Sequence, residues 1–286
     1  MITTPLRYPG GKAKAIKKIL PLVPTFSEFR EPFLGGASVF LALKQKYPDK
    51  KYWVNDLNND LYHFWINLKN NCEKLVRGVQ RKKDIEKDGR VLHKNLVENN
   101  PKSSIGKAIR FFVLNRITFS GTIEAGGYSQ GAFEARFTQS SIRRLKPVSS
   151  VLNDTEITNL DYEKLINKKG KDVFIFLDPP YLSATKSRLY GKKGNLHTSF
   201  DHKRFARVMK KTKHKWMITY DDCPEVRDLF AFANILSWEF QYGMNNYKQE
   251  TAAKGKELII TNYTLPEPET LFSMNEVSLK ITKVTA

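Results

Sequence analysis

The chain is poor in cysteine, in acidic residues and in long apolar runs, and each shortage excludes a class of protein. Its 286 residues hold only Cys72 and Cys223, far apart and outside any CxxC pair, so there is no disulfide framework and no thiolate zinc site. Two free thiols fit a reducing compartment, and a cytoplasmic setting is expected. The longest strongly apolar runs, such as Val173 to Leu177, fall far short of the roughly 20 residues of a spanning helix. Met1 to Lys18 has Pro5, Pro9 and five cationic residues but no apolar stretch of the kind a signal peptide needs. No membrane partner is therefore expected. G-x-G-x-x-G is missing, and Gly11-Lys12 is followed by Ala13, so neither a dinucleotide fingerprint nor a P-loop is present.

What the chain does have is positive charge. Lys and Arg number 48 against 29 Asp and Glu, a formal charge of +19. Residues 71–150 carry 16 basic and 7 acidic side chains, residues 186–216 carry 11 basic and 1 acidic, and the remainder is neutral. With 41% hydrophobic and 12% aromatic residues the chain can bury a core. Two basic blocks on a globular frame predict a polyanionic partner, because each phosphate neutralised by Lys or Arg releases condensed counterions. An anionic membrane surface is the weaker reading.

Strand and breaker signals organise the rest. Phe29 to Glu31, Tyr52 to Val54, Val173 to Leu177, Lys215 to Tyr220 and Glu257 to Tyr263 read as strands separated by helical stretches. Val173 to Leu177 is apolar at every position, as a central parallel strand covered on both faces requires. This pattern predicts a doubly wound α/β sheet, with ligands bound beyond the carboxyl ends of its strands. Residues 71–150 break the rhythm with a polar, basic, mostly helical composition, and read as an inserted domain. The expected division is 1–70 with 151–265 as the sheet domain, 71–150 as the insert and 266–286 as a peripheral tail.

Two motifs carry chemistry. Phe33-Leu34-Gly35-Gly36 forms a turn between a strand and a helix, where backbone can approach a ligand. Asp56 follows at the end of the next strand, placed to accept hydrogen bonds from ribose hydroxyls, although a plain turn and a plain helix cap would look the same. Asp178-Pro179-Pro180-Tyr181 directly follows the central apolar strand and is more specific. It offers a carboxylate, main-chain acceptors and an aromatic face, a set suited to an amino group on a flat base. The bland alternative is a proline turn with a capping Asp.

In order along the chain, Arg7 to Lys12, Glu31 to Gly36, Asn55-Asp56, Asn115 to Gly121, Asn159 to Tyr162, Asp178 to Tyr181, Thr219-Tyr220-Asp221 and Lys256 to Tyr263 resemble the motifs of Dam-type adenine-specific (N6) DNA methyltransferases. Ser120 stands where that family usually has Asn, and Thr122 to Phe133 departs from the Tyr/Arg-rich pattern of its GATC-specific members. The resemblance implies a Rossmann-like methyltransferase sheet with an inserted, mostly helical target-recognition domain. It further implies S-adenosyl-L-methionine as cofactor, bound by Tyr8, Lys12, Phe33, Gly35, Asp56, Asp161 and Asp178. Catalysis is then expected at Asp178, Pro179, Pro180 and Tyr181, on adenine flipped out of double-stranded DNA. Arg116 and Arg136 are expected at base edges, Arg143 and Arg144 at phosphates, and Lys192 and Lys193 on the backbone beside the flipped nucleotide. No metal is expected, a monomer is favoured, and there is room for a cognate restriction endonuclease acting separately. An RNA methyltransferase would share the cofactor site, and a non-catalytic DNA-binding protein would share the frame. The intact Asp178 to Tyr181 argues against the latter.

Overall fold

The structure is a computed structural model that describes residues 1–123, 126–182, 199–240 and 255–265. Its centre is a seven-stranded sheet built from β1 (Glu28–Glu31), β2 (Lys51–Asn55), β3 (Thr155–Thr158), β4 (Val173–Leu177), β5 (Lys215–Asp221), β6 (Asn234–Phe240) and β7 (Gly255–Thr261). Spatially the order is β3-β2-β1-β4-β5-β7-β6, and only β7 runs against its neighbours. The order reverses between β1 and β4, which opens a crevice at their carboxyl ends. The Rossmann-like expectation is met. All five expected strands are present, and two more, β3 and β6, went unread. β3 is a four-residue edge strand, Thr-Glu-Ile-Thr, too short and polar to stand out, and β6 is the opposite edge.

Alternation on β4 divides the core in two. Phe174 and Phe176 face a cluster with Phe29, Val54, Met217 and Ile259, while Val173, Ile175 and Leu177 face one with Trp216, Ile218, Leu258 and Ile260. Helices cover both faces. Next to the first cluster lie α1 (Ile16–Ile19), α2 (Ser38–Lys46) and α3 (Asn59–Asn70). α3 starts at Asn58, whose side chain accepts from the amides of Asp60 and Leu61, as the Asx-rich stretch suggested.

The 71–150 segment is helical: α4 (Cys72–Ile85), α5 (Gly89–Glu98), α6 (Ser104–Ile117), α7 (Gln130–Arg136), α8 (Gln139–Arg143) and α9 (Leu145–Val151). α6 is buried from Arg110 to Ile117, and Phe112 stacks on Phe64 of α3 with ring centroids 5.8 Å apart. The helices of this segment thus share one continuous cluster with the sheet. The second cluster is closed by α10 (Tyr162–Asn167), α11 (His202–Lys211) and α12 (Pro224–Leu229). Among the described residues, no helix is long and apolar enough to cross a membrane, and no group of side chains could hold a metal ion.

Candidate active site

The site forms where the carboxyl ends of β1 and β4 meet. After β1 the chain turns through Gly35 (φ +48°) and Ala37 (φ +60°) into α2. Gly35 N–H donates to one oxygen of Asp56 at 2.9 Å, and Asn58 N–H donates to the other at 2.9 Å. Asp56 is thereby aimed at the glycine turn, and burial pushes its carboxyl up to about 6 despite both hydrogen bonds. Glu31, on the same edge, accepts from Phe40 N–H at 3.0 Å. Its carboxyl is held well above the usual range by burial and by the nearby charges of Asp178 and Asp56.

Tyr8 explains why the turn needs glycine. A Cβ on Gly35 would lie 2.8 Å from Tyr8 Cε1, and one on Gly36 would lie 3.0 Å from Tyr8 Cβ. The phenol ring therefore packs directly on the turn. Four residues on, Lys12 is 3% exposed, and its ammonium spans both oxygens of Asp178 at 2.8 and 2.9 Å while donating to the Gly10 carbonyl at 3.1 Å. Thr219 on β5 donates to Asp178 Oδ1 at 2.8 Å. The carboxylate of Asp178 is thus fixed from two sides at the end of β4.

Tyr181 continues this arrangement. Its ring stacks on Tyr220 with centroids 5.8 Å apart, and Lys12 Nζ lies 5.0 Å from its centroid. The Asp221 carboxylate accepts from Leu182 N–H at 3.0 Å, and the Tyr220 hydroxyl meets His202 Nδ1. β5 therefore grips the segment after β4 at Thr219, Tyr220 and Asp221, the three residues of the short motif read from the sequence. Phe33 sits across the crevice against Tyr162, 5.5 Å between centroids. The neighbouring Asp161 caps α10 through Glu163 N–H and pairs with Arg204 at 3.1 Å.

Tyr8, Lys12, Gly35, Asp56 and Asp178 are thus brought to one crevice, with Phe33 and Asp161 on its flank. The expected DNA-reading residues divide differently. Arg136, Arg143 and Arg144 are exposed, whereas Lys192 and Lys193 lie outside the described residues. Arg116 departs from expectation: it is 4% exposed, donates to the carbonyl of Pro5 and to Asn115 Oδ1, and covers the Phe112 ring. A guanidinium so enclosed cannot read a base edge in this conformation. Burial, with Arg7, Arg144 and Arg136 nearby, pushes it down to about 9. Asn115 completes an interlock, accepting from Arg7 N–H at 3.0 Å and donating to the carbonyls of Arg7 at 2.7 Å and Gly121 at 3.1 Å.

One residue of the Asn115 to Gly121 motif, not singled out from the sequence, stands out in the structure. Phe119 is 66% exposed at a tight loop where Thr118 bridges Tyr128, Phe119 N–H donates to Gly127 and Ser120 has φ +55°. Its exposure shows only in the fold; in the sequence the signal was its place in the Asn115 to Gly121 motif, next to Thr118, whose carbonyl accepts from Arg7 at 3.1 Å.

Comparison with known proteins gives one family and several relatives. Residues 8–244 match the family described as D12 class N6 adenine-specific DNA methyltransferase. A Type II methyltransferase of Lactococcus lactis subsp. cremoris, M1.LlaDCHI, is 25% identical over 90% of this chain and 94% of its own. The DNA adenine methylase of Vibrio cholerae strain O395 is 23% identical over 80% and 85% respectively. The DNA N-6-adenine-methyltransferase of Escherichia phage P1 is 22% identical over 78% of this chain but only 30% of its own length. The family match runs from the tyrosine packed on the glycine turn to beyond the last parallel strand, and the chain belongs to the D12 class of N6 adenine-specific DNA methyltransferases.

Proposed function

We propose that the methyl donor is S-adenosyl-L-methionine and that Asp178, Pro179, Pro180 and Tyr181 carry the transfer to adenine N6 in double-stranded DNA. The observation that carries this reading is the Asp178 carboxylate, pinned by Lys12 and Thr219 within the same crevice as Asp56 and the Gly35 turn. The donor set suits a cationic nucleoside. Asp56 can accept ribose hydroxyls, Phe33 offers a flat apolar neighbour, Asp161 an acceptor for an adenine amino group, and the surplus of carboxylates favours positive charge. When bound, S-adenosylmethionine supplies an electrophilic methyl on a sulfonium leaving group.

The protein's own part is to prepare the nucleophile. The lone pair of an adenine amino group is delocalised into the ring. Hydrogen bonds from its two N–H groups to Asp178 and the Pro179 carbonyl favour a pyramidal nitrogen and localise that pair. Because Lys12 and Thr219 already hold the carboxylate, little reorganisation is left for the reaction itself. Tyr181, backed by Tyr220, provides the ring against which a flipped base rests. Arg136, Arg143 and Arg144 contact the duplex, and Phe119 enters the stack to offset the opening cost. We extend to this chain the Type II designation of the Lactococcus relative: acting as a monomer, it marks DNA that a separate endonuclease would otherwise cut.

Incubating the protein with unmethylated duplex and labelled S-adenosylmethionine, then mapping modified bases, tests the reading. N6-methyladenine at one short recurrent word is expected. Label confined to other bases, or a duplex that stays unlabelled while structured RNA added in parallel is methylated, would refute it. Phe119→Ala should slow methylation of a fully paired duplex about tenfold, yet leave a duplex with a mispaired target adenine nearly unaffected, since the mispaired base costs less to extrude. Equal losses on both substrates would rule out the wedge.

A further inference from the structure

We infer that Glu257 is a positioning residue for methyl transfer, acting on Asp178 through Lys12; this rests on the role given to Asp178 above. Glu257 is fully buried on β7, paired opposite Asp221 of β5. The residues that follow it, Leu258, Ile259 and Ile260, are buried and apolar, so a carboxylate at this position carries a desolvation cost that calls for a reason. Its Oε1 lies 4.0 Å from Lys12 Nζ, the ammonium that spans both Asp178 oxygens. One buried cation therefore stands between two carboxylates.

That arrangement sets how strong an acceptor Asp178 is. With Asp178 as its one carboxylate, Lys12 would neutralise it as a one-to-one pair and weaken it as an acceptor for the adenine amino group. Glu257 shares the ammonium's charge, so Asp178 keeps its strength toward the target N–H groups. The same pull sets where the ammonium rests. Because Lys12 Nζ also lies 5.0 Å from the Tyr181 centroid, its displacement would disturb the stacking ring as well as the acceptor.

Glu257→Gln keeps the shape and removes the charge. In single-turnover methyl transfer at saturating duplex and S-adenosylmethionine, the rate should fall about tenfold, with dissociation constants for both held within about twofold. Lys12→Met and Lys12→Met/Glu257→Gln should then be equally slow, because Glu257 has nothing left to act through. A parent-like rate in Glu257→Gln overturns the inference. So do losses that multiply in the double variant, which would mark a role independent of Lys12. Should Glu257→Gln fail to fold, the double variant, which removes the ammonium and the Glu257 charge together, is compared with Lys12→Met: equal rates support the inference and a further loss overturns it. Asp178→Ala, run alongside, separates the two levels. If it is active, the reading of the site fails; if it is inactive beside a fully active Glu257→Gln, only the inference about Glu257 fails.

Discussion

Asp178→Ala should lower the single-turnover rate of methyl transfer by about three orders of magnitude or more, while duplex affinity stays near that of the parent chain. The size follows from what the side chain does. It is the charged acceptor for the amino group, and its removal leaves the Pro179 carbonyl to polarise the nucleophile alone. Affinity should survive because the groups assigned to the duplex, Arg136, Arg143 and Arg144, lie on the exposed face of the helical segment. The fold should survive too, since Lys12 keeps Glu257 at 4.0 Å and the Gly10 carbonyl at 3.1 Å. Asp178→Asn separates charge from shape. It retains an oxygen acceptor, so a rate between those of the parent and Asp178→Ala is expected. Quench-flow turnover with fluorescence anisotropy on the same duplex decides the matter. A variant that transfers methyl at the parent rate would remove Asp178 from the mechanism.

The second large effect concerns Asp56 and pH. An ionised carboxylate accepts from ribose hydroxyls more strongly than a neutral carboxyl does, and burial has pushed this group up to about 6. Affinity for S-adenosylmethionine should therefore rise as pH climbs through 6, with binding at pH 5 about tenfold weaker than at pH 8. Stability runs the other way for this residue. A carboxyl raised above its ordinary value of 3.8 favours the folded state while it is protonated at low pH, and that contribution is lost as pH rises through about 6. Ligand binding and unfolding should thus respond to pH with opposite sign. Asp56→Asn should flatten this part of both profiles and weaken binding roughly 10- to 100-fold, the span expected for hydrogen bonds to a charged group. Glu31 is raised as well, so calorimetry on Asp56→Asn also shows how much pH dependence it supplies. A parent-like pH profile in Asp56→Asn would assign the titration elsewhere.

The sheet was legible where the sequence is extreme. Val173 to Leu177 reads as a central strand because every position is apolar, and a central strand places Asp178 at the crevice without further information. The glycine turn was equally plain, although its reason was not. Gly35 and Gly36 leave room for Tyr8, a contact between segments far apart in sequence. The Lys12 to Asp178 pair joins positions 166 residues apart, and nothing local to either residue announces it. Arg116 shows a different gap. Arg116 falls in a run, Arg110 to Ile117, that is buried on every face of α6 and holds Phe111, Phe112, Val113, Leu114 and Ile117. Its charge suggested a surface role, and the apolar run around it was the better guide.

The interlock of Arg7, Asn115 and Gly121 bears on how such enzymes could be recombined. A Cβ on Gly121 (φ +75°) would fall 2.5 Å from the Arg7 carbonyl, so the segment before Tyr8 and the loop after α6 fit as a single moulded piece. A graft that moved residues 71–150 alone into a relative would set a foreign loop against the host's own N-terminal segment. The transferable cassette is therefore discontinuous: the helical segment together with the residues from Pro5 to Tyr8, exchanged as one part.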